Sequence, residues 1–287
     1  MEQDNLLRDQ DLACGPAGQD HVVLDPKHPG INDGFYVRRR EMIYRLSRDG
    51  RIAESEVPRI GYTENDDSVW RYVCRKLQEV HERNACDIFL EGKKALGFEE
   101  GAMPELRDLS EGTYARSGFR LIPAEGMLSS KDFFRYLSRN RMPCTQYLRH
   151  HSKPEYTPEP DAVHDVMGHV PLLVDRNYAE IVRMIGEAGS RAEGDNLIKL
   201  TRFYWFTIEF GLIRQAGALK VFGAGLLSSF GEMTYCYSDD VDRRPLDIDD
   251  VVETDYDPTI MQPTLFVIES MEQLREATAE LARRYGS

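Results

Sequence analysis

Two histidines stand out as candidate metal ligands. His164 and His169 lie five residues apart, with Gly168 and Pro171 beside the second one. In a regular α-helix that spacing places two side chains roughly 140° apart. The two rings therefore converge only if the helix is distorted, and Gly168 and Pro171 stand where a distortion is expected. The spacing differs from the His-Glu-x-x-His pattern of zinc peptidases, which needs both histidines on one unbroken helical face.

Glu209 is the candidate third ligand, because it lies among large apolar residues in the segment 204–213. A carboxylate buried in such surroundings costs several kcal/mol unless a cation or strong donors compensate it. One interpretation is a salt bridge to Arg202 or Arg214. The other is a metal shared with both histidines, since two histidines and one carboxylate form the facial triad that binds Fe(II) and leaves positions open for oxygen chemistry. The spacing alone does not separate iron from catalytic zinc.

The elements that must position these residues are predicted to be mainly α-helical, with a few short strands. Apolar periodicity and capping signals predict helices over residues 33–47, 63–80, 129–142, 176–188, 196–215 and 270–281, and alternation predicts a strand at 119–123. Thr63 with Asp66, and Ser270 with Gln273, are predicted to form capping boxes. Residues 1–27 are polar and predict a flexible tail. Residues 28–287 then form a single domain.

Composition limits the possible partners and the compartment. The 287 residues carry 36 basic and 49 acidic side chains, a net charge of -13 that argues against binding nucleic acid. No apolar run approaches the roughly 20 residues of a membrane-spanning helix, and the N-terminus has no secretory signal. The five cysteines are scattered, which favours reduced thiols. We therefore expect a cytoplasmic protein.

Several blocks of the chain resemble the pterin-dependent aromatic amino acid hydroxylases. The main blocks are residues 157–161, 164–171, 204–211 and 223–232, and the supporting blocks are residues 28–30, 118–123, 128–133 and 144–150. They follow the family's order with similar gaps, over residues 28–275. The resemblance implies that the chain is a single catalytic, iron-binding domain of that family, of the bacterial type, and that it is a monooxygenase.

The resemblance also implies roles for individual residues. His164, His169 and Glu209 match the ligands of Fe(II), and a tetrahydropterin and O2 would be co-substrates. Arg149 matches the residue that clamps the substrate carboxylate, as its bidentate fork allows. The other matched positions are Asp161, which holds that arginine, Thr157 near the amino acid backbone, Trp205 beside the substrate ring, Ser228, which orients a ligating histidine, and the catalytic position Tyr204, close to the iron.

The pterin positions also rest on the resemblance. Phe133 would stack on the pterin, and backbone groups of Gly126 and Leu128 would contact its edge. Asp165 replaces the glutamate usual in the family, on the pterin side, and Pro143 stands where animal members commonly carry a histidine. Glu159 is expected to form an ion pair with Arg40, and the role of this pair is expected to be structural.

The preferred substrate is L-phenylalanine, hydroxylated at the para position by default. Trp205 stands where tryptophan-hydroxylating relatives have phenylalanine, and the resemblance thus implies a pocket for a single ring. With Gln262 aligned to the family, Pro258 falls where tyrosine-hydroxylating relatives have an acidic residue. A phenylalanine 3-hydroxylase that makes meta-tyrosine for secondary metabolism, and a tyrosine or tryptophan hydroxylase, stay open. From other classes, so do a zinc hydrolase and a non-catalytic binding protein. We expect a monomer or weak dimer, because no heptad helix follows, and no membrane partner.

Overall fold

The computed structural model describes residues 22–53, 57–98, 101–155 and 157–287. Most of these residues are helical and the strands are short, which confirms the mainly α class predicted from the sequence. The flexible tail predicted for residues 1–27 falls largely outside these ranges, since the description begins at Val22. Cys14 lies outside them as well. Cys86, Cys144 and Cys236 are buried free thiols, as the scattered cysteines predicted, and Cys74 is buried as well.

The secondary structure alternates between longer helices and short connecting strands. The α-helices are α1 (Gly34–Ala53), α2 (Glu64–Asn84), α3 (Asp87–Leu96), α4 (Leu106–Ser117), α5 (Ser130–Leu137), α6 (Val170–Leu173), α7 (Arg176–Arg191), α8 (Gly194–Tyr204), α9 (Ala224–Leu227), α10 (Phe230–Tyr235), α11 (Ile248–Glu253) and α12 (Met271–Tyr285). The wider π-helical turn occurs in π1 (His164–His169) and π2 (Trp205–Glu209). The strands are β1 (Arg120–Ala124), β2 (Arg141–Thr145), β3 (Leu212–Gln215), β4 (Ala218–Val221), β5 (Asp242–Pro245) and β6 (Thr264–Ile268).

The strands form two small sheets. Strands β1 and β2 pair in parallel, with Ile122 opposite Pro143. The other sheet has the order β4-β3-β6-β5, in which only β3 and β4 run antiparallel. The hairpin between them turns at Ala216 and Gly217, whose φ angles of 50° and 80° are both positive, as a two-residue hairpin turn matching the strand twist requires. This hairpin fixes the chain just after Glu209.

Helix α2 begins as the sequence predicted. The Asp66 carboxylate accepts the N–H of Thr63 at 2.7 Å and the Thr63 hydroxyl accepts the N–H of Asp66, so the capping box is complete. Val69 and Leu77 are buried on its inner face. One cluster of buried apolar side chains extends from Val69 to Leu281 in α12, so the elements share a core. Among the described residues, no helix combines the length and apolar character needed to cross a bilayer.

The structure differs from the sequence predictions at several points, among them α5, which ends at Leu137 before β2 begins at Arg141. Helix α1 does not end at Gly50 but continues to Ala53. A Cβ added to Gly50 would lie 3.2 Å from the Pro123 side chain, so this glycine allows a close contact with β1. The helix predicted over 196–215 ends at Glu209, and β3 begins at Leu212. The prediction missed this change because a buried apolar run does not distinguish a strand from a helix. At α12, Ser270 accepts the N–H of Gln273, but the Gln273 side chain caps Glu269. Half of that predicted capping box is therefore present.

Candidate metal centre

His164 and His169 occupy the two ends of π1, and their ring centroids are 5.1 Å apart. A π-helix hydrogen-bonds from i to i+5, so its wider turn brings residues five apart to the same side. Pro171 follows directly in α6, where it has no N–H to donate to the helix that continues from π1. The distortion that the spacing required is therefore present in the structure.

Glu209 is the last residue of π2, and its carboxylate faces both rings. Oε1 lies 3.0 Å from Nε2 of His169, and Oε2 lies 3.6 Å from Nε2 of His164. The alternative prediction, a salt bridge to a nearby arginine, is wrong, because Arg202 pairs with Asp255 and Arg214 pairs with Glu269. The three predicted ligands therefore converge, although they come from segments forty residues apart along the chain.

The arrangement of these donors fits a metal ion. With metal–ligand bonds of about 2.1 Å, neighbouring ligands at right angles lie about 3 Å apart, close to the 3.0 Å between His169 and Glu209. The hydroxyl group of Tyr178 is buried and has no hydrogen-bond partner among the described residues, whereas the buried hydroxyl of Tyr204 interacts with the Glu209 carboxylate and helps to lower its pKa. Burial, with the charge of Glu209 next, raises the pKa of both phenols well above its usual value. The site thus has two neutral phenol groups beside its carboxylate.

The electrostatic interactions among the three ligands favour an ionised Glu209. Burial alone would raise the pKa of Glu209, but His169 and then His164 outweigh that effect, and the pKa is lowered. Burial alone would lower the pKa of His169, yet Glu209 raises it overall. A metal binds the neutral imidazole, so a cation would compete with the proton on His169 for the same carboxylate-facing nitrogen.

Asp165 is a possible alternative ligand, since donor atoms of His164, Asp165 and His169 lie within 4.8 Å of one another. Its Oδ2, however, accepts bonds of 2.7 Å from both the backbone N–H and the hydroxyl of Thr145. Burial raises the pKa of Asp165 despite the two histidines. Glu209 directs both its oxygens at ring nitrogens and is therefore the better third ligand. Asp165 instead connects π1 to β2.

Ser228 contacts His164 on the side of the ring opposite Glu209. Its hydroxyl oxygen lies 3.1 Å from Nδ1 of His164, as expected from the sequence. Ser228 directly follows α9, which approaches π1 so closely that a Cβ on Gly168 would lie 2.5 Å from the carbonyl oxygen of Ala224. Glycine at 168 is therefore needed for this contact, which holds the serine against the histidine.

Arg149 and Asp161 form a buried pair next to π1. Asp161 is fully buried and accepts hydrogen bonds from Nε of Arg149 at 2.9 Å, from Nη2 at 2.8 Å and from its backbone N–H at 2.7 Å. Burial would raise the pKa of Asp161, but Arg149 lowers it overall. Asp161 also accepts the backbone N–H of His164 at 3.2 Å. One carboxylate thus fixes the guanidinium relative to the first histidine.

Trp205 opens π2 four residues before Glu209. Its ring stacks on Tyr256 at a centroid distance of 4.1 Å and an angle of 11°, and its Nε1–H donates to Gln262 at 3.1 Å. The sequence analysis did not identify Tyr256. An aromatic residue within the acidic stretch 239–257 is the signal that would have suggested it. Tyr256 and Gln262 hold the indole from the loop that precedes β6.

Three of the predicted pterin residues, Gly126, Leu128 and Phe133, lie in the segment that runs from the end of β1 into α5. The Phe133 ring meets the Tyr204 ring edge-on at 5.4 Å, so α5 contacts the residue that precedes π2. Gly126 and Leu128 are half-buried in the turn between β1 and α5. Thr157 donates to the carbonyl of Glu159 at 2.5 Å. Its predicted contact with a bound amino acid stays a prediction.

The predicted structural ion pair is present. Glu159 binds Nη2 of Arg40 at 2.8 Å, and Arg40 also lies over the ring of Tyr147 at 3.5 Å. The Arg40–Glu159 ion pair thus connects α1 to the segment that precedes π1.

Comparison with known proteins agrees with this geometry. A family model described as biopterin-dependent aromatic amino acid hydroxylase matches residues 8–286. The chain belongs to this family. Phenylalanine-4-hydroxylase of Bos taurus is 41% identical over 263 residues, which cover 90% of this chain and 58% of the relative. Tyrosine 3-monooxygenase of Rattus norvegicus is 38% identical over 265 residues, which cover 91% of this chain and 53% of the relative. The chain therefore spans a little over half the length of these two hydroxylases.

A solved structure of the same family has the same fold. Phenylalanine hydroxylase from Chromobacterium violaceum, with bound iron(III) and the oxidised cofactor 7,8-dihydrobiopterin, matches with a TM-score of 0.74 and 34% identity. The match covers 78% of this chain and 83% of that chain. The family and the fold that the sequence blocks suggested are thereby confirmed.

Proposed function

We propose that this protein is a monooxygenase that uses Fe(II), a tetrahydropterin and O2 to hydroxylate the ring of L-phenylalanine, forming tyrosine. The observation that carries the proposal is the link between a metal-ligand triad and a buried arginine. Asp161 accepts hydrogen bonds from Arg149 and from the backbone of His164, so a carboxylate-binding group is held beside the metal ligands. An amino acid bound to Arg149 would extend its side chain towards the metal.

Relatives support this assignment. The bovine relative is a phenylalanine-4-hydroxylase, and the Chromobacterium violaceum phenylalanine hydroxylase binds iron and a dihydrobiopterin. The donor set of two imidazoles and one carboxylate is typical of Fe(II) oxygenases. We therefore assign iron to His164, His169 and Glu209.

The protein's own residues bind and orient the reactants. Bound iron and a reduced pterin would supply the activation of O2, which no side chain provides. Arg149 uses Nε and Nη2 for Asp161, and its Nη1 makes only a long contact of 3.4 Å with the carbonyl of Pro154. Nη1 is therefore the donor best placed for a substrate carboxylate. Burial of Arg149 and Asp161 keeps competing water away from that contact.

We assign binding of the substrate's aromatic ring to Trp205, which Tyr256 and Gln262 hold in place. The indole is fixed by Tyr256 on one face and by Gln262 at Nε1. A rigid flat surface of this kind suits a single aromatic ring, which favours phenylalanine over tryptophan. Phe133, Gly126, Leu128 and Asp165 are assigned to the pterin, and the Phe133 ring contacts Tyr204.

The choice of substrate ring and of the hydroxylated ring carbon rests on the loop that contains Pro258. Pro258 lies exposed in the loop between Tyr256 and Gln262 and offers no charge or hydrogen-bond donor to a phenol. This favours phenylalanine over tyrosine, with para hydroxylation as the default. Meta hydroxylation is the alternative outcome, and it differs only in which ring carbon faces the metal.

The test is a single-turnover assay on iron-loaded protein. The protein is loaded with Fe(II) without oxygen, mixed with phenylalanine and a tetrahydropterin, and exposed to O2, and para-, meta- and ortho-tyrosine are separated. Tyrosine and tryptophan are assayed in parallel. We expect para-tyrosine, one per O2 consumed in coupled turnover. A Zn(II)-loaded sample is the matched control and should give none.

Each other result has a defined meaning. Meta-tyrosine would retain the enzyme class and change the position. A preference for tyrosine or tryptophan would change the substrate. Absence of hydroxylated product from every aromatic amino acid, with iron bound, would overturn the proposal in favour of a binding protein. Zinc in the purified protein without oxygen uptake would favour a hydrolase.

A further inference from the structure

A second cleft lies away from the metal ligands, between the end of α2 and the end of α3. It has a volume of about 190 Å³ and is lined chiefly by His81, Glu82, Leu90, Lys93, Lys94 and Phe98. Its wall combines cationic side chains with the apolar Leu90 and Phe98. None of these residues takes part in the proposed hydroxylation.

Lys93 is the central feature of this cleft. Its side chain is only 9% exposed, and its Nζ lies 3.1 Å from Nδ1 of His81. Nε2 of His81 lies 2.7 Å from the carbonyl oxygen of Leu227, so Nε2 carries the imidazole proton and Nδ1 accepts from Lys93. His81 is therefore neutral and cannot balance a charge on Lys93.

The charge of Glu82 acts on Lys93 from a distance, but the two side chains form no ion pair. Across the described ranges of the chain, no ion pair involves Lys93, and its one hydrogen bond from Nζ goes to His81. Glu82, the acidic residue of the cleft wall, accepts a hydrogen bond from Gln78. A buried ammonium group has three donors and is costly to leave without an anion. Burial accordingly lowers the pKa of Lys93.

We propose that this cleft is a binding site for a small organic carboxylate, with the anion on Lys93 and its apolar part against Leu90 and Phe98. Lys94 at the rim adds a second positive charge, which exceeds the single negative charge of Glu82 in the wall. An apolar cavity of about 150 Å³ admits benzene. A cleft of about 190 Å³ therefore suits a molecule of that size or slightly larger.

The cleft is separate from the metal centre but structurally connected to it. His81 holds the carbonyl of Leu227, and the next residue, Ser228, contacts His164. On the other side of Lys93, a Cβ on Gly92 would lie 1.9 Å from the carbonyl oxygen of Pro171, so α3 packs directly on the backbone that follows His169. Helices α2 and α3 thus contact the segments that adjoin the two histidine ligands.

Calorimetric titration of the iron-loaded protein tests the proposal. The probe is isovalerate, a branched aliphatic carboxylate, and its neutral amide, 3-methylbutanamide, is the matched ligand. We expect one isovalerate per chain and binding of the amide at least about tenfold weaker, because a hydrogen bond to a charged group is lost. Lys93→Met should weaken isovalerate binding by at least about the same factor.

Two further variants separate this site from others. Lys76→Met makes the same change on an exposed part of α2 and should leave binding unaltered. Leu90→Trp fills the cleft while keeping Lys93, so it should abolish binding and serves if Lys93→Met does not fold. Isovalerate binding that is absent in the unmodified protein, equal for the amide, or unchanged by Leu90→Trp overturns the proposal.

Discussion

The hydroxyl of Ser228 donates to the carbonyl of Ala224 at 2.9 Å and lies 3.1 Å from Nδ1 of His164. Because the serine proton is directed at Ala224, Nδ1 of His164 must supply the proton of the second bond. Nε2 then keeps its lone pair, and it is Nε2 that faces Glu209. One serine thus selects the histidine tautomer that can bind a metal.

Replacing Ser228 with alanine should weaken iron binding while leaving the fold intact. Loss of a hydrogen bond that orients a ligating histidine costs about 10- to 100-fold in metal affinity. Competition with a chelator of known Fe(II) affinity measures the change. Ser190→Ala, which removes a hydroxyl bonded to the Glu187 carbonyl in α7, is the control. Equal iron affinity in Ser228→Ala and the unmodified protein would contradict the assigned role.

Replacing Glu209 with glutamine should remove the metal more completely. The variant keeps the side-chain volume but loses the negative charge that faces both rings. Since a ligand is lost and not only its support, we expect iron affinity to fall by at least about 100-fold, with no coupled hydroxylation. Iron content and product formation are measured together. Glu180→Gln, on the exposed face of α7, should retain both. Full activity in Glu209→Gln would show that another residue completes the site.

Local signals in the sequence were sufficient for many features. The Thr63–Asp66 capping box needs only a few neighbouring residues, and the spacing of His164 and His169 required a distortion that π1 provides. Leu212 and Ile213 were misassigned to a helix because both are buried, which removes the alternation typical of a strand.

Features that depend on residues distant in the chain were not predicted. Tyr256 contacts Trp205 across 51 positions, and its acidic surroundings suggested a surface segment. Lys93 and His81 pair through the crossing of α2 and α3, which no periodicity reveals. Tertiary packing, and not local pattern, creates both contacts.

Replacing Arg149 with lysine should act on substrate binding. Lysine keeps the positive charge beside buried Asp161 but loses the planar fork, so it cannot hold Asp161 and a substrate carboxylate in the same geometry. Loss of one charge-assisted hydrogen bond should raise KM for phenylalanine by about tenfold or more, with a smaller change in kcat. Steady-state kinetics distinguish the two. Arg135→Lys, at an exposed ion pair in α5, is the control. An unchanged KM would exclude Arg149 from the substrate site.

His81 should make stability depend on pH. Burial lowers its pKa from 6.5 to about 3 in the folded protein. Above pH 6.5 the group is neutral in both states; below it, the unfolded chain gains a proton that the folded protein does not. Stability is therefore lost as pH falls from 6.5 towards 3, by about 2 kcal/mol at pH 5.

Urea unfolding at pH 7.5 and pH 5 measures this effect. In His81→Phe, the decrease in the free energy of unfolding between the two pH values should be about 2 kcal/mol smaller than in the unmodified protein. His151→Phe replaces an exposed histidine and controls for the loss of one imidazole. An identical decrease in His81→Phe and the unmodified protein would show that His81 is protonated in the folded state.

Replacing Tyr256 with leucine should loosen the indole of Trp205. The stacked pair, at 4.1 Å and 11°, is worth about 0.5–1.5 kcal/mol beyond its buried area. If Trp205 forms the wall for the substrate ring, a mobile indole should raise KM for phenylalanine by about two- to tenfold. It should also lower the fraction of pterin oxidation coupled to hydroxylation. Initial rates at varied phenylalanine concentration give KM, and the ratio of tyrosine formed to pterin consumed gives the coupling.

The control for this variant is Tyr114→Leu, because Tyr114 is 47% exposed on α4. Gln262→Leu removes the other support of Trp205, the acceptor of its Nε1–H, and should change KM and coupling in the same direction as Tyr256→Leu. If Trp205 only packs the core, both variants should lower the free energy of unfolding while KM and coupling stay unchanged. A rise in KM with a fall in coupling in both variants, beyond any change in Tyr114→Leu, identifies the indole as part of the substrate pocket.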